Sequence, residues 1–156
     1  MNNSLRFISI SYKTASIAQR EAYHILDDEK SELVSKITNS FPDIVGLLLL
    51  NTCNRTEVYF ESQATTASMF CDFFISQKVS DDEKIIHKSL YKYSDNTYDT
   101  VNHLLKVGAG LSSSVIGDIE IVHQIKKAYQ FSISRQLQGS LLERCMQSVF
   151  KSHKRI

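Results

Sequence analysis

Cys53 and Arg55 stand two residues apart in the polar stretch "NTCNR", between the apolar run "IVGLLLL" and the alternating run "TEVYFES". The pair reads as a candidate nucleophile beside a cation. The thiolate is the reactive form of cysteine, and a nearby positive charge or exposed backbone N–H groups lower a thiol's pKa. Thr52 and Asn54 add hydrogen-bonding groups on either side. A cysteine on a short loop at the end of a buried strand is held rigidly and can face a cleft. The competing reading is a small buried residue closing the sheet, which composition alone favours. Cys71, in a Phe-rich helical stretch, and Cys145 read as such core cysteines.

His103 has the chemistry to polarise a carbonyl or move a proton; a satisfied, partly buried histidine is the alternative. His24, His87, His123 and His153 show no partner pattern and receive no role. In "SSSVIGDIEIVHQ", Gly117, Glu120 and Gln124 recur at i, i+3 and i+7, so a helix places them along one side. Ser112 to Ser114 offer hydroxyls and helix N-terminal amides suited to a carboxylate or phosphate. A capped helix with a wet face fits the same pattern. The five glycines form neither G-x-G-x-x-G nor G-x-x-x-x-G-K, and the three cysteines have no metal-ligand spacing.

The elements that must position these residues follow from hydrophobic period. "RFISISY" alternates, with Ile8, Ile10 and Tyr12 on one side and Ser9 and Ser11 on the other, which predicts a strand. "ASIAQREAYHIL" predicts a short helix through Ala18, Ala22 and Ile25. "DDEKSELVSKITNSF" predicts another, capped by Asp27 or Asp28, with Leu33, Ile37 and Phe41 as its apolar edge. "IVGLLLL" suits a central strand buried on both faces, and "TEVYFES" a strand joined to it by a hairpin-like connection. "TTASMFCDFFISQK" predicts a helix with Met69, Phe70, Phe73 and Phe74 inward, and "SLYKYS" a fourth strand. The order β-α-β-β-α-β gives an α+β fold, a ferredoxin-like antiparallel sheet followed by C-terminal helices. Those helices are "DNTYDTVNHLLKV", with Val101, Leu104, Leu105, Gly108 and Leu111 on one face; a second with Val115, Val122, Ile125 and Tyr129; and a final one reaching the last residue without a stop signal. The expected organisation is a ferredoxin-like unit over 1–95, a helical part over 96–138 that completes a pocket, and the start of a longer helix over 139–156, as in a fragment.

Composition sets limits. No apolar stretch approaches the roughly 18 residues of a membrane span, and the N-terminus lacks a secretory pattern. Three widely spaced cysteines do not read as a disulfide framework, so a reducing cytoplasm is the expected setting. The net charge is only +1, yet residues from 121 onward hold seven bases against one acid, which leaves −5 for residues 1–120. A basic region of this kind suits a polyanion such as RNA, or simply solvated helix faces.

Four blocks in order resemble the glutamyl-tRNA reductase family. "SYKTASIAQRE" is similar to N-H-K-T-A-P-x-x-x-R-E, and "NTCNRTEVY" to S-T-C-N-R-T-E-x-Y, the most specific piece. "VNHLLKVGAGLSSSVIGDIEIVHQIKKAY" is similar to H-L-x-x-V-x-x-G-L-x-S-x-x-x-G-E-P-Q-I-x-x-Q-x-K-x-A, and "FKSHKRI" to the start of the family's connecting helix. The resemblance implies a catalytic N-terminal domain that converts glutamyl-tRNA(Glu) to glutamate-1-semialdehyde in 5-aminolevulinate and tetrapyrrole synthesis. It implies Cys53 as the nucleophile forming a thioester and His103 as an activity-supporting residue. Thr52, Asn54, Arg55, Ser113, Asp118, Ile119, Glu120 and Gln124 would bind substrate. NADPH would be held by a domain absent from this chain. The family's enzymes are dimers, and the next enzyme, glutamate-1-semialdehyde aminomutase, is an expected partner.

Departures fall at Ser11, Tyr12 and Ser16 in the first block and at Asp118, Ile119 and Glu120 in place of E-P-Q. A carboxylate at Glu120 suits the substrate's ammonium group and repels a carboxylate, so Glu120 is expected to face the α-amino group. The alternative reading is a ferredoxin-like RNA-binding or regulatory module without catalysis, though no "GFGFV"-like stacking run occurs.

Overall fold

A computed structural model describes residues 2–110 and 120–154. Four strands, β1 (Ser4–Ser11), β2 (Gly46–Asn51), β3 (Arg55–Ser62) and β4 (Lys92–Ser94), form one antiparallel sheet in the order β2-β3-β1-β4. Between β1 and β2 lie α1 (Ile17–Glu21) and α2 (Lys30–Ser40). Between β3 and β4 lie α3 (Ala67–Ser76) and α4 (Lys84–Lys88). Three further helices follow: α5 (Thr97–Gly108), α6 (Glu120–Ser134) and α7 (Ser140–Lys154). This is the expected α+β ferredoxin-like order with C-terminal helices.

The leucines of β2 alternate between two cores. Leu47 and Leu49 join Ile8, Ile10, Val58 and Phe60 against Leu33 and Ile37 of α2 and Phe70 and Phe74 of α3. Leu48 and Leu50 join Leu5, Phe7 and Tyr59 against Leu104 and Val107 of α5, Ile121 and Ile125 of α6, and Leu142, Met146 and Val149 of α7. Each buried leucine is worth roughly 1.5–3 kcal/mol, so both faces hold the strand in place. A ferredoxin-like unit alone covers one face of its sheet; here α5–α7 cover the other. The first three turns of α7, expected as the start of a connecting helix, are packed into this second core.

Several local expectations are corrected. Met69, expected inward, is 51% exposed, and Ile75 instead joins Phe70, Phe74 and the expected core cysteine Cys71. Helix α1 is only five residues long, closed by a capping box between Ser16 and Gln19, and Ile25 buries after it has ended. The acidic "DDE" at 27–29 is a 3-10 turn preceding α2. Helix α4 was not foreseen. Asn96 caps α5, accepting from the Asp99 N–H at 2.9 Å. Leu111, Ser112–Ser114, Val115 and Gly117 lie outside the described residues.

The open edge of β2 is partly covered by the α6–α7 connection, where the Leu47 N–H donates to the Leu137 carbonyl at 2.8 Å. Gly139 turns the chain there at φ +54°, and a Cβ would stand 2.5 Å from Glu61 Oε1. That carboxylate receives the Leu141 and Leu142 N–H groups at 2.9 and 3.2 Å and caps α7.

Candidate functional site

Strands β2 and β3 meet in a three-residue turn, 52–54, with Cys53 exposed at its tip. The turn is fixed from several sides. The Thr52 N–H donates to the Arg55 carbonyl at 2.8 Å, and the Asn54 N–H to Thr52 Oγ1 at 3.1 Å. The Tyr12 N–H, just past β1, donates to the Asn54 carbonyl at 2.9 Å. Asn51 accepts from the Ile25 N–H at 2.7 Å and donates to Thr56 Oγ1 at 2.8 Å. A nucleophile so placed has little freedom to lose on reaction.

Period 2 along β3 puts Arg55, Glu57 and Tyr59 on one face, toward α5–α7. Arg55 is 3% exposed and Glu57 fully buried. Arg55 Nη1 donates to Glu57 Oε2 at 3.1 Å; its Nη2 is buried with no partner among the described residues. Glu57 gathers three more groups: Ser9 Oγ at 2.6 Å, the Tyr59 hydroxyl at 2.7 Å and His103 Nε2 at 2.7 Å. Burial alone pushes this carboxyl up, but the bond from His103, its charge, the Arg55 cation and Ser9 outweigh it and hold Glu57 down at about 2. Glu57 is therefore a carboxylate at neutral pH. Burial and the Glu57 charge raise the Tyr59 phenol, which stays a neutral donor. The His103 ring stacks on Phe7 with centroids 4.3 Å apart.

A cleft of about 300 Å³ opens at the turn. Asn51, Thr52, Cys53, Arg55 and Thr56 line one side, and Ile17, Arg20, Glu21 and His24 from α1 and the segment after it line the other. An exposed thiol thus sits in a cleft that Arg55 also lines, while the Arg55 guanidinium is buried and its Nη2 has no partner among the described residues. Arg55 there suits a carboxylate, and Cys53 suits attack on an ester or other electrophile.

A family model described as the glutamyl-tRNA(Glu) reductase N-terminal domain matches residues 8–156. The chain belongs to the glutamyl-tRNA reductase family. Glutamyl-tRNA reductase of Cytophaga hutchinsonii is 35% identical over 156 residues, covering 100% of this chain and 36% of that protein. The solved glutamyl-tRNA reductase from Methanopyrus kandleri superposes with a TM-score of 0.70 at 25% identity, covering 97% of this chain and 35% of that one. The chain spans about a third of the length of these relatives. In the glutamyl-tRNA reductase fold the first two motif blocks are spatial neighbours. Ser11 pairs with Arg55 across β1 and β3, and Tyr12 holds Asn54.

The structure brings Thr52, Cys53 and Arg55 together in the cleft, with Asn54 in the supporting turn. His103 is joined to Arg55 through Glu57 and does not line the cleft. Gln124 lines a separate hollow of about 140 Å³ with Lys30 and Lys127; Asn51 borders both. Glu120 opens α6 and is exposed. Ser113, Asp118 and Ile119 lie outside the described residues. Sequence reasoning gave no role to Glu57, Ser9, Tyr59, Arg20, Glu21 or His24. An acid inside an apolar alternating strand was the available signal for Glu57; the α1 wall had none beyond the R-E of the first block.

Among the described residues no three His, Cys, Asp or Glu side chains are grouped to hold a metal ion. None of the glycines there forms a strand-to-helix phosphate loop, and about 300 Å³ is the low end even for a small-molecule pocket. The described residues do not fit a nicotinamide dinucleotide. A sheet-face RNA platform does not fit either, because helices cover both faces of the sheet. No helix among the described residues is long and apolar enough to cross a membrane.

Proposed function

We propose that this chain is the acyl-transfer domain of a glutamyl-tRNA reductase. The observation that carries this reading is an exposed Cys53 in a cleft that Arg55 also lines, the buried Arg55 Nη2 having no partner among the described residues. Arg55, on the wall of the cleft, is the cation for the glutamyl side-chain carboxylate. Cys53, deprotonated, attacks the ester carbonyl carbon. A C–S bond forms, the C–O bond to the ribose breaks, and the ribose oxygen takes up a proton. The products are an enzyme thioester and free tRNA. Thr52 and Asn54 hold the turn, and by the family resemblance Ser113, Asp118, Ile119, Glu120 and Gln124 contribute further to binding the glutamyl group.

Glu57 binds Arg55 and His103 at once, so His103 supports activity indirectly, by holding Glu57 and through it the position of Arg55. Reducing the thioester to an aldehyde needs a hydride donor, NADPH by the family resemblance. The described residues supply no site for it. The same resemblance makes the family's complete enzymes cytoplasmic dimers that feed an aminomutase in tetrapyrrole synthesis.

Release of tRNA from glutamyl-tRNA by the parent chain, compared with Cys53→Ser and Arg55→Lys, tests the reading. The expected result is loss of all release above background with Cys53→Ser and a 10- to 100-fold lower kcat/KM with Arg55→Lys, about 1.4–3 kcal/mol. Equal rates in all three would refute it.

A further inference from the structure

We infer that Arg20 is a phosphate-binding residue of the same cleft, contacting the last phosphodiester of the polynucleotide that carries the glutamyl ester. This rests on the acyl-transfer reading above.

Arg20 and Arg55 line the cleft from different sides, yet their charges are handled differently. Arg55 is balanced by Glu57 at 3.1 Å. Arg20 forms no ion pair among the described residues. Its Nη1 donates to the Ala15 carbonyl at 2.7 Å, and its Nε is desolvated without a partner among the described residues. The side chain is thereby oriented and its charge left for an external anion. The neighbouring acid, Glu21, also lines the cleft, but consecutive helix residues point about 100° apart.

Rigidity supports the assignment. The capping box of Ser16 and Gln19 closes α1, with bonds of 3.2 and 2.9 Å, and the Arg20 N–H donates to the Ser16 carbonyl at 3.0 Å. Tyr23, fully buried, anchors the chain just after the helix. A half-buried arginine on a capped helix, held through one Nη by the Ala15 carbonyl, is preorganised for an oxyanion.

Charge matching decides which oxyanion. The glutamyl group offers one anion, its side-chain carboxylate, and Arg55 takes it. The cleft equals roughly ten water volumes at about 30 Å³ each, more than the nine heavy atoms of a glutamyl group occupy. The remaining space beside Cys53 receives the leaving group, a terminal nucleoside. The next negative charge along that molecule is the phosphodiester on its 5′ side, and Arg20 on the facing wall is the unbalanced cation that meets it.

The test uses the chain carrying Cys53→Ser, so that binding is read without acyl transfer. The RNA tetranucleotide ACCA is the phosphate-bearing probe, and a glutamyl-adenosine ester is the phosphate-free probe. Arg20→Gln should weaken ACCA binding about tenfold. It should also flatten the dependence of log K on log salt by about 0.7, the value of one phosphate contact on a single strand. The phosphate-free ester should bind within twofold of the parent. Arg20→Lys, which keeps the charge, should retain the salt slope. Unchanged ACCA binding, or an equal loss for both probes, overturns the inference. So does loss of the slope in both variants alongside a lowered Tm, which would make Arg20 structural. If ACCA binds as stated and Cys53 in the parent chain never acquires a glutamyl group, the acyl-transfer reading falls and the phosphate contact stands.

Discussion

Replacing Glu57 with glutamine removes the charge on which Ser9, Arg55, Tyr59 and His103 converge. Two independent routes give its magnitude. Breaking a buried ion pair by deleting one partner costs about 3–5 kcal/mol, because Arg55 would be left charged and uncompensated. The titration route starts from a folded value of about 2 against the ordinary 4.5. That gap, at about 1.4 kcal/mol per pH unit, is about 3 kcal/mol. The folded pKa is depressed, so this stabilisation is fully present above pH 4.5 and is lost as pH falls toward 2. Urea unfolding followed by circular dichroism at several pH values checks both. At pH 7 the Glu57→Gln midpoint should fall by about 1–3 M, for m near 1–3 kcal/mol/M. The gap between parent and variant should close by about 3 kcal/mol between pH 5 and pH 2. A variant within 1 kcal/mol of the parent at pH 7, or a gap independent of pH, would refute the view of Glu57 as a buried anionic hub.

Other outcomes follow from the same geometry. Burial pushes the Cys71 and Cys145 thiols up to about 12, from 9.0, which lowers their thiolate fraction near pH 8 by about a thousandfold. Iodoacetamide should therefore label Cys53 alone in the folded chain, and two or more labels before unfolding would contradict the burial. Gly139→Ala should destabilise the chain by about 2–4 kcal/mol in urea titration, combining left-handed strain of about 1–2 kcal/mol with displacement of the Glu61 cap from α7. A loss under 1 kcal/mol would show that the cap relocates at little cost.

Much of this architecture is legible locally. The unbroken apolar run of β2 announces a strand with two buried faces, and the alternation of "RTEVYFES" announces its partner. What covers the second face is less legible, because only tertiary packing folds α5–α7 back onto it. The buried arc of α3 takes Ala67, Phe70, Cys71, Phe74 and Ile75, which leaves Met69 outside it, and composition does not say where that arc falls. Helix α4 is too short to display a period. The thiol and Arg55 were readable from spacing and family likeness. The Glu57 hub was not, since Ser9 and His103 lie 48 and 46 residues away in the chain. The α1 wall of the cleft is likewise a product of topology: β1 and β3 pair, and Tyr12 and Asn54 meet where the two motif blocks end.

The central claim is that Cys53 accepts the glutamyl group. Mixing the chain with glutamyl-tRNA, quenching in acid and mapping peptides by mass spectrometry tests it most directly. The account predicts one glutamyl group per chain, on the peptide containing Cys53, labile to hydroxylamine as a thioester and absent from Cys53→Ser. A glutamyl group on another residue, or tRNA release at the parent rate from Cys53→Ser, would contradict it.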